Sequence, residues 1–484
     1  MSIAKKIGFV LLVILVVLAI AAFVFTRPDR ADLPWSDVTG TDPTLQQPEA
    51  ETFPTIGIAE PIGWGANDTP IPAEGLSVSR FAEGLDHPRT LLTLPNGDVL
   101  VSLTDAPAVR APGEHNWIED KIAGFLFGRA GSDTGSPDKV VLLRDTTGDG
   151  KADKRFVLGD DFNSPSGLAW ANDILFVANH DAVWAYNYSL GDTSLSTKPV
   201  KIMDLAPGPN HWMRNLLLSP DASKLYVAVG SASNIGERGM EAEEGRALIW
   251  EYDLENRSQR IYGAGLRNPN GLAWNPWSGE LWTTVNERDM LGSDLVPDYL
   301  TNVPVGAQYG WPWVYWKDNV DRRVKAPMPQ FITEYTRRPE YALGPHVAAL
   351  GLVFAREGAK LGPKFSSGAL IAQHGSWNRE PPSGYNVVYV PFDARGNPTG
   401  KPVPVLSGFL TDDGKTHGRP TWVSWAADGA LLVSDDTAGI IWRVIDKDAD
   451  PAPAIERITG ERLPPQRELR SGLQGAFGEE YARE

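Results

Sequence analysis

The chain has 484 residues, a net charge of −16 and no cysteine. The acidic balance argues against a nucleic-acid partner, because duplex binding normally relies on a basic face. The missing cysteine excludes disulfides, thiolate metal sites, C-x-x-C-H haem attachment and a cysteine nucleophile. Seventeen Trp, 48 Gly and 39 Pro favour a turn-rich β protein of several domains or of one large closed architecture.

The N-terminus carries a long apolar run. Residues 1–6 end in Lys5 and Lys6, and residues 7–25 are uncharged and almost wholly apolar. This length is close to the roughly 20 residues that cross a bilayer as a helix. The lysines predict that residues 1–6 stay in the cytoplasm and that the rest of the chain is exported. Small residues near Ala19 leave a cleavable signal peptide open, but the long run favours an uncleaved anchor. In a Gram-negative cell this predicts a single-pass inner-membrane protein with its body in the periplasm.

The rest of the chain divides by composition. Residues 26–76 are rich in Pro, Asp and Thr without a sustained period, which predicts a linker. In residues 77–446 one theme recurs: a short apolar strand, a turn with Asn, Asp or Gly, and a second apolar strand. Residues 447–484 are charged and weakly patterned, which predicts a peripheral tail. The theme has six copies, which begin at Pro88, Pro165, Met213, Pro269, Ala349 and Pro420.

The repeats predict the fold. Their spacing is too irregular for a solenoid but fits four-stranded units that carry loop insertions. One such unit cannot bury both faces of its sheet, whereas six units around an axis bury the faces and protect the edges. We therefore predict an all-β six-bladed β-propeller with an N-terminal transmembrane helix. The alternative is a pair of β-sandwiches with coincidental hairpins.

The third hairpin follows the clearest candidate base. In a propeller, the loops that precede the inner strands meet at one end of the channel, where a ligand can contact several blades. His211 and Arg214 immediately precede this hairpin, and Asn234 follows it. A lone histidine is more often a hydrogen-bonded structural residue than a base, so both interpretations stay open at this point.

Two further arginines lie in candidate channel-end loops. Arg379 stands in GSWNRE and Arg419 in HGRPTWV. Guanidinium groups there suit a ligand with several carboxylates, which they bind by bidentate hydrogen bonds. Stacking on Trp377 or Trp422 is an alternative for each of them.

Two acidic loops are candidate calcium sites. The loop NERDMLGSD offers Glu287, Asp289 and Asp294 together with loop carbonyls, a hard-oxygen environment that suits Ca²⁺. Simple solvation of the acidic side chains is the alternative. The loop DTTGDGKAD resembles the start of a calcium loop but has Phe156 where a bidentate Glu would stand, so we interpret it as a turn.

Five segments, in this order along the chain, resemble the glucose/sorbosone dehydrogenases, and more closely the membrane-linked sorbosone dehydrogenase branch. They are GPNHWMRNLLLSPDASKLYVAVGSASN, GLRNPNGLAWNP, NERDMLGSDLVPDYLTNV followed by QYGWP, GSWNREPPSGYNVVYV, and GRPTWVSWAADGALLVSDDTAGIIWRV. The resemblance covers roughly residues 77–446. It implies a six-bladed propeller that uses pyrroloquinoline quinone and Ca²⁺ to oxidise a sugar or aldose.

The resemblance also implies residue roles. His211 would be the general base that takes the proton of a sugar hydroxyl or aldehyde hydrate while hydride passes to the quinone. Asp294 would orient or charge-stabilise His211, and Arg419 would stabilise the negative oxygen of the reduced quinone. The calcium ion would be bound by loop carbonyls near Arg288 and Asp289. The predicted cofactor contacts are Arg214, Asn234, Trp377, Arg379 and Arg419.

Two other functions stay open from the sequence. A Ca²⁺-dependent lactonase-like hydrolase would also use a six-bladed propeller, with Glu, Asn and Asp ligands from several blades and no need for Arg419. A non-catalytic carbohydrate-binding propeller would need only the aromatic side chains. For the dehydrogenase we expect a small-molecule sugar substrate and an external electron acceptor, either a separate carrier or membrane quinone.

Overall fold

The computed structural model describes most of the chain, namely residues 29–51, 54–107, 135–208 and 210–458 together with Phe9 and Val16. No helix within this part has the length and apolar character to span a bilayer. The predicted anchor, residues 7–25, lies outside the described residues apart from Phe9 and Val16.

Six antiparallel sheets surround one channel, which confirms the predicted six-bladed propeller. The inner strands of neighbouring blades contact one another in a closed ring. The six inner strands coincide with the six predicted hairpins and are Pro88–Thr93, Gly167–Ala171, Arg214–Leu218, Asn268–Trp274, Ala349–Phe354 and Pro420–Trp425. The second strands are Val99–Leu103, Ile174–Ala178, Lys224–Val229, Leu281–Asn286, Gly368–Gln373 and Leu431–Asp435.

Two more strands complete each blade. The third strands, in blade order, are Lys139–Arg144, Ala182–Asn187, Leu248–Asp253, Pro297–Asn302, Asn386–Pro391 and Ile440–Ile445. The outer strands are Lys154–Gly159, Val200–Asp204, Ser258–Ala264, Tyr341–Pro345, Val403–Ser407 and Ser77–Ala82. The outer strand of blade 6 thus comes from before blade 1, so both ends of the propeller meet in one sheet.

Short elements decorate this frame. Blades 3 and 5 each gain a fifth two-residue strand, Ala307–Gln308 and Ile71–Pro72. Two small two-stranded sheets pair Glu60–Pro61 with Lys415–Thr416 and Val314–Tyr315 with Asn319–Val320. The described helices are single turns, at Met240–Glu243, Ile332–Tyr335 and Pro363–Phe365.

The inner strands approach one another very closely. A Cβ on Gly351 of blade 5 would lie 2.6 Å from Trp422 Cα and 2.7 Å from Val423 N of blade 6. A Cβ on Gly271 of blade 4 would lie 2.5 Å from Leu350 O of blade 5. The apolar side chains of each sheet then pack between blades, and the glycines allow the ring to close at this radius.

The six inner strands begin at one end of the channel, which we call the upper face. It consists of the loops that follow the second strands and of the residues just before the inner strands: His87, Ser166, Met213, Arg267, Ala348 and Arg419. Since antiparallel neighbours reverse direction, the first and second strands of every blade contribute side chains to this same face.

Part of the predicted linker lies on the upper face. We call the described residues between 29 and 64 the strap. The strap crosses blades 4, 5 and 6, and its amides bond to their loops: Ala31 N donates to Glu380 O at 2.8 Å, and Gly57 N donates to Trp377 O at 2.7 Å. The segment is therefore built into the body from residue 29 onwards.

Aromatic packing holds the end of the strap. Trp64 stacks on His417 with ring centroids 4.7 Å apart, and its Nε1 donates to Asp435 Oδ2 at 2.9 Å. The sequence predicted a linker here because single, irregularly spaced contacts of this kind leave no period to detect.

We predict that Gly351→Ala destabilises the propeller by about 1 to 3 kcal/mol, because the added methyl must push two backbones apart. Chemical denaturation followed by tryptophan fluorescence measures the loss. Gly159→Ala is the control, since its methyl would meet the Phe162 ring at 3.0 Å, a side chain that can move. Equal losses for the two variants would contradict the proposed role of the close approach.

Candidate active site

His211 lies in the loop before the inner strand of blade 3, at the upper face. Its φ is 43°, in the left-handed region. Its Nδ1 is 2.9 Å from Ser231 O and 3.0 Å from Ser231 Oγ. Because a carbonyl oxygen can only accept, this contact assigns the proton to Nδ1 and makes Nε2 the unprotonated nitrogen. The imidazole can therefore take up a proton at Nε2.

The surroundings of His211 keep it neutral. Burial lowers the pKa of His211 well below its usual 6.5, and the charge of Arg267 lowers it further. The hydrogen bond to Ser231 and the more distant Asp289 oppose these effects without cancelling them. At neutral pH the ring is a base with an available lone pair.

Arg214, predicted as a cofactor contact, instead holds the backbone of the His211 loop. Its side chain is fully buried. Its Nη1 donates to His211 O at 2.7 Å, and its Nη2 donates to Ala206 O at 2.8 Å. The guanidinium group thus faces loop carbonyls, which makes Arg214 a positioning residue for the base.

Arg246, which no sequence motif singled out, also supports this loop. Its Nη2 donates to Asn210 O at 2.7 Å and its Nε to Gly230 O at 3.0 Å. The two carbonyls flank His211 and its partner strand. Nothing in the local pattern around Arg246 distinguishes it from a surface arginine.

Asp289 is the centre of a charged cluster beside the base. Its Oδ2 accepts from Arg267 Nη2 at 2.9 Å, and its Oδ1 lies 3.3 Å from His346 Nδ1. Asn234 Oδ1 accepts from both Asp289 N and Arg267 Nη2 at 2.9 Å. Burial alone would raise the pKa of Asp289, but Arg267 and His346 hold it below its usual value. The structure thus brings the predicted Asn234 and Asp289 to the neighbourhood of His211.

Arg267 and His346 were missed as site residues, although their positions carried a signal. Each one stands just before an inner strand, Arg267 in blade 4 and His346 in blade 5, as His211 does in blade 3. Burial would lower the pKa of His346, but the bonded Asp289 raises it.

Asp294 does not contact His211. Its Oδ2 accepts from the amides of Asp32 and Leu33 in the strap, at 2.7 and 2.9 Å, and its Oδ1 is 3.3 Å from Arg379 Nη2. The acid whose charge acts on His211 is Asp289. Loop membership predicted Asp294 at this face, but only the three-dimensional course of the strap shows where its carboxylate points.

Arg379 is turned towards the loops and the strap. Its Nε donates to Ser293 O at 2.9 Å and its Nη1 to Pro381 O at 2.7 Å. Its guanidinium group lies 5.6 Å from the Trp35 ring. The stacking alternative had named Trp377 instead. Trp377 itself is 39% exposed on the upper face. Of these two predicted cofactor contacts, only Trp377 presents an open surface.

A second charged cluster joins blades 5, 6 and 1. Asp436 Oδ2 is 3.0 Å from Arg89 Nη2 and 3.0 Å from His374 Nε2. Arg89 also lies 5.3 Å from the ring of Trp212, the neighbour of His211 in the chain. The three residues lie 285, 347 and 62 residues apart in their three pairings, and no motif links them, so the sequence did not predict this triad.

Arg419, predicted at the site, carries an unpartnered donor. Its Nη2 donates to Tyr385 Oη at 3.3 Å, and its guanidinium lies 5.4 Å from that ring. Its Nε is buried without a hydrogen-bond partner, as are Arg89 Nε and Arg214 Nε. Buried N–H groups in native proteins normally have a partner, and since Arg214 is committed to loop carbonyls, Arg89 and Arg419 are the two that suit the oxygens of an anionic ligand.

The predicted calcium ligands have other partners. Arg288 is fully buried, with its Nε 3.0 Å from Glu287 Oε2. The carbonyls of Asp289 and Met290 both accept from Arg323 Nη1, at 2.9 and 2.8 Å. Ca²⁺ therefore does not fit at these carbonyls as they stand, because a guanidinium group already fills the position in front of them.

The other calcium candidates have no metal-binding geometry either. Within the described ranges, no group of three or more His, Asp or Glu side chains is suited to hold a metal ion. In DTTGDGKAD, the carboxylate of Asp145 accepts from the amides of Gly148 and Gly150, both at 2.7 Å. The loop has the contacts of a turn.

The chain matches a family across most of the propeller. A sequence model of the TrAA12-like family matches residues 139–304 and 327–447. Among solved structures, the iodide and calcium structures of a Trichoderma reesei enzyme of Carbohydrate-Active Enzymes family AA12 share this fold. Each has a TM-score of 0.62 and 21% identity, and the match covers 78% of this chain and 98% or 97% of the other.

Several curated proteins match by sequence, among them two relatives. One is an uncharacterized protein of Borreliella burgdorferi, 28% identical over 60% of this chain and 78% of the relative. The other is the pyrroloquinoline quinone-dependent pyranose dehydrogenase of Coprinopsis cinerea, 26% identical over 55% of this chain. The match spans 44% of that relative's length.

The lowered pKa of His211 predicts a pH effect on stability. The unfolded chain binds a proton on His211 below about pH 6.5, whereas the folded protein does not, so acid favours unfolding. We expect the stability of the wild type relative to His211→Asn to fall as the pH drops from 7 to 5. Unfolding free energies of both proteins over this range measure it. If the difference in unfolding free energy between the two proteins stays constant, or grows as the pH falls, then the pKa of His211 is not lowered in the folded protein.

Proposed function

Since the chain belongs to the TrAA12-like family, we propose that it is a quinoprotein oxidoreductase that oxidises a sugar or aldose with pyrroloquinoline quinone. The name of the Coprinopsis cinerea relative supports the cofactor and the substrate class. The observation that carries the proposal is the position of His211, a neutral base at the channel end with Arg267 and Asp289 in its surroundings.

The residues of the upper face fit a quinone of this type. Pyrroloquinoline quinone is an anion with three carboxylates, which guanidinium groups bind well. Arg89 and Arg419 each have a buried Nε without a partner. Arg267 contributes a third positive charge next to the base. When bound, the quinone supplies the electrophilic carbonyl carbon that accepts hydride from the sugar.

The protein's own part in the reaction is proton transfer and charge stabilisation. His211 Nε2 accepts the proton of the sugar hydroxyl as hydride leaves the carbon that bears this hydroxyl. Ser231 O meanwhile keeps Nδ1, the other ring nitrogen, protonated. Asp289 favours the imidazolium that results. Arg419 would hold the anionic cofactor and stabilise its negative charge. Trp377 offers an exposed aromatic face for a pyranose at the mouth of the site.

The remaining predicted residues act at a distance. Arg214 positions the His211 loop. Asp294 and Arg379 join the strap to the loops of blades 4 and 5, so they shape the rim of the site. No specific contact in the described residues favours the lactonase-like alternative over the dehydrogenase.

His211→Asn should lower kcat for sugar-dependent reduction of an artificial electron acceptor by about 10² to 10⁴, because the general base is lost. Quinone binding, measured by tryptophan quenching, should stay within about three-fold of the wild type. His180→Asn is the matched control, a buried histidine of blade 2 with Nδ1 3.3 Å from a carbonyl. An unchanged rate in His211→Asn would remove it as the base, and a wild type that binds no quinone would refute the proposed function.

We also propose that residues 7–25 anchor the protein in the inner membrane and hold its body in the periplasm, with electrons passing to an external acceptor. The apolar run and the preceding lysines support this. The full chain should float with liposomes in a density gradient and should resist extraction by alkaline carbonate. Recovery in the soluble fraction after carbonate would contradict an anchor.

A further inference from the structure

We infer that the guanidinium group of Arg323 takes the place of a calcium ion in this protein, so that the chain binds its quinone without a divalent cation. The inference rests on the proposed quinone-dependent function. Calcium was expected at the loop carbonyls near Arg288 and Asp289, but these carbonyls make other contacts.

The carbonyl oxygens of Asp289 and Met290 each use both lone pairs in hydrogen bonds. A carbonyl oxygen has two lone pairs. Asp289 O accepts from Arg323 Nη1 at 2.9 Å and from Asn234 Nδ2 at 3.2 Å. Met290 O accepts from Arg323 Nη1 at 2.8 Å and from Glu51 N, in the strap, at 3.2 Å. Calcium ligands stand 2.3 to 2.6 Å from the metal, so an ion could use these oxygens only after Arg323 had left.

Arg323 is fixed in this position. Its Nε and Nη2 form a bidentate pair with the carboxylate of Asp321, at 3.0 and 2.7 Å. Asp321 is buried, and its Oδ2 also lies 3.5 Å from Arg288 Nη1. The pair orients the guanidinium group so that both N–H bonds of Nη1 point at the two carbonyls. Moving Arg323 would leave a buried carboxylate with fewer partners, which is costly.

Two positive groups already contact Asp289. Arg267 binds the carboxylate of Asp289, and Arg323 binds its carbonyl. A divalent ion between them would meet two positive groups at close range. The four hydrogen bonds of Arg323 side-chain atoms to Asp321, Asp289 and Met290 use four of its five N–H groups, and one N–H of Nη2 is left over. It can donate to an anionic oxygen, the class of ligand that the quinone presents.

The test compares quinone binding with and without calcium. Full-length protein is titrated with pyrroloquinoline quinone in EGTA and in millimolar Ca²⁺, with binding read from tryptophan quenching. We expect wild-type Kd values within about two-fold of each other. Arg323→Ala should bind at least about ten-fold more weakly in EGTA, a change of about 1.4 kcal/mol, and should recover part of this loss in Ca²⁺. Arg322→Ala, an exposed neighbour, should match the wild type.

Other outcomes have separate meanings. A wild type that binds quinone only in Ca²⁺ would overturn the inference and leave the proposed function intact. A wild type that binds quinone in neither buffer would overturn both. If Arg323→Ala does not fold, the thermal unfolding midpoint of the wild type in Ca²⁺ without quinone decides. A midpoint unchanged from EGTA supports the inference, and a clear rise overturns it.

Discussion

Buried guanidinium groups that bind loop carbonyls are the interaction on which the upper face depends. Six loops end at the mouth of one channel, and their backbone oxygens cannot all pair with strands or reach water. An arginine has five donors in a fixed plane, so a single side chain can satisfy several carbonyls. Arg214 and Arg246 do this for the loop of the base. Arg288 does it at Val314 O, and Arg323 does it at the carbonyls of Asp289 and Met290. The base is held in place by cations that also keep it neutral.

This arrangement separates charge within the molecule. The chain carries a net charge of −16, yet the channel end collects arginines whose acidic partners are single and shared. Asp289 lies between Arg267 and His346, and Asp436 between Arg89 and His374. The arginines at this mouth place positive charge where an anion would bind. Only side chains at that mouth need to recognise such a ligand.

The repeats made the fold predictable, because six hairpins with one strand–turn–strand pattern have few closed arrangements. The position of His211 followed from the same pattern. Side-chain direction did not: Arg214, Asp294 and Arg379 stand in the expected loops, but their partners are backbone atoms and a strap that pairs without periodicity. Arg267 and His346 occupy positions equivalent to that of His211, and this signal was available. The pairing of Arg323 with the Asp289 loop depends on an insertion whose course no local pattern determines.

The outer strand of blade 6 has a consequence for how the protein is made. Ser77–Ala82 leaves the ribosome before any blade exists, but its partner Ile440–Ile445 emerges after all the others. Throughout synthesis the early strand is an unpaired edge, and the ring stays open between its first and last blades. An exported chain would have to remain in this open state until its C-terminal part had followed. One six-residue edge therefore stays unpaired until the last strand arrives, whatever the chemistry at the centre of the ring.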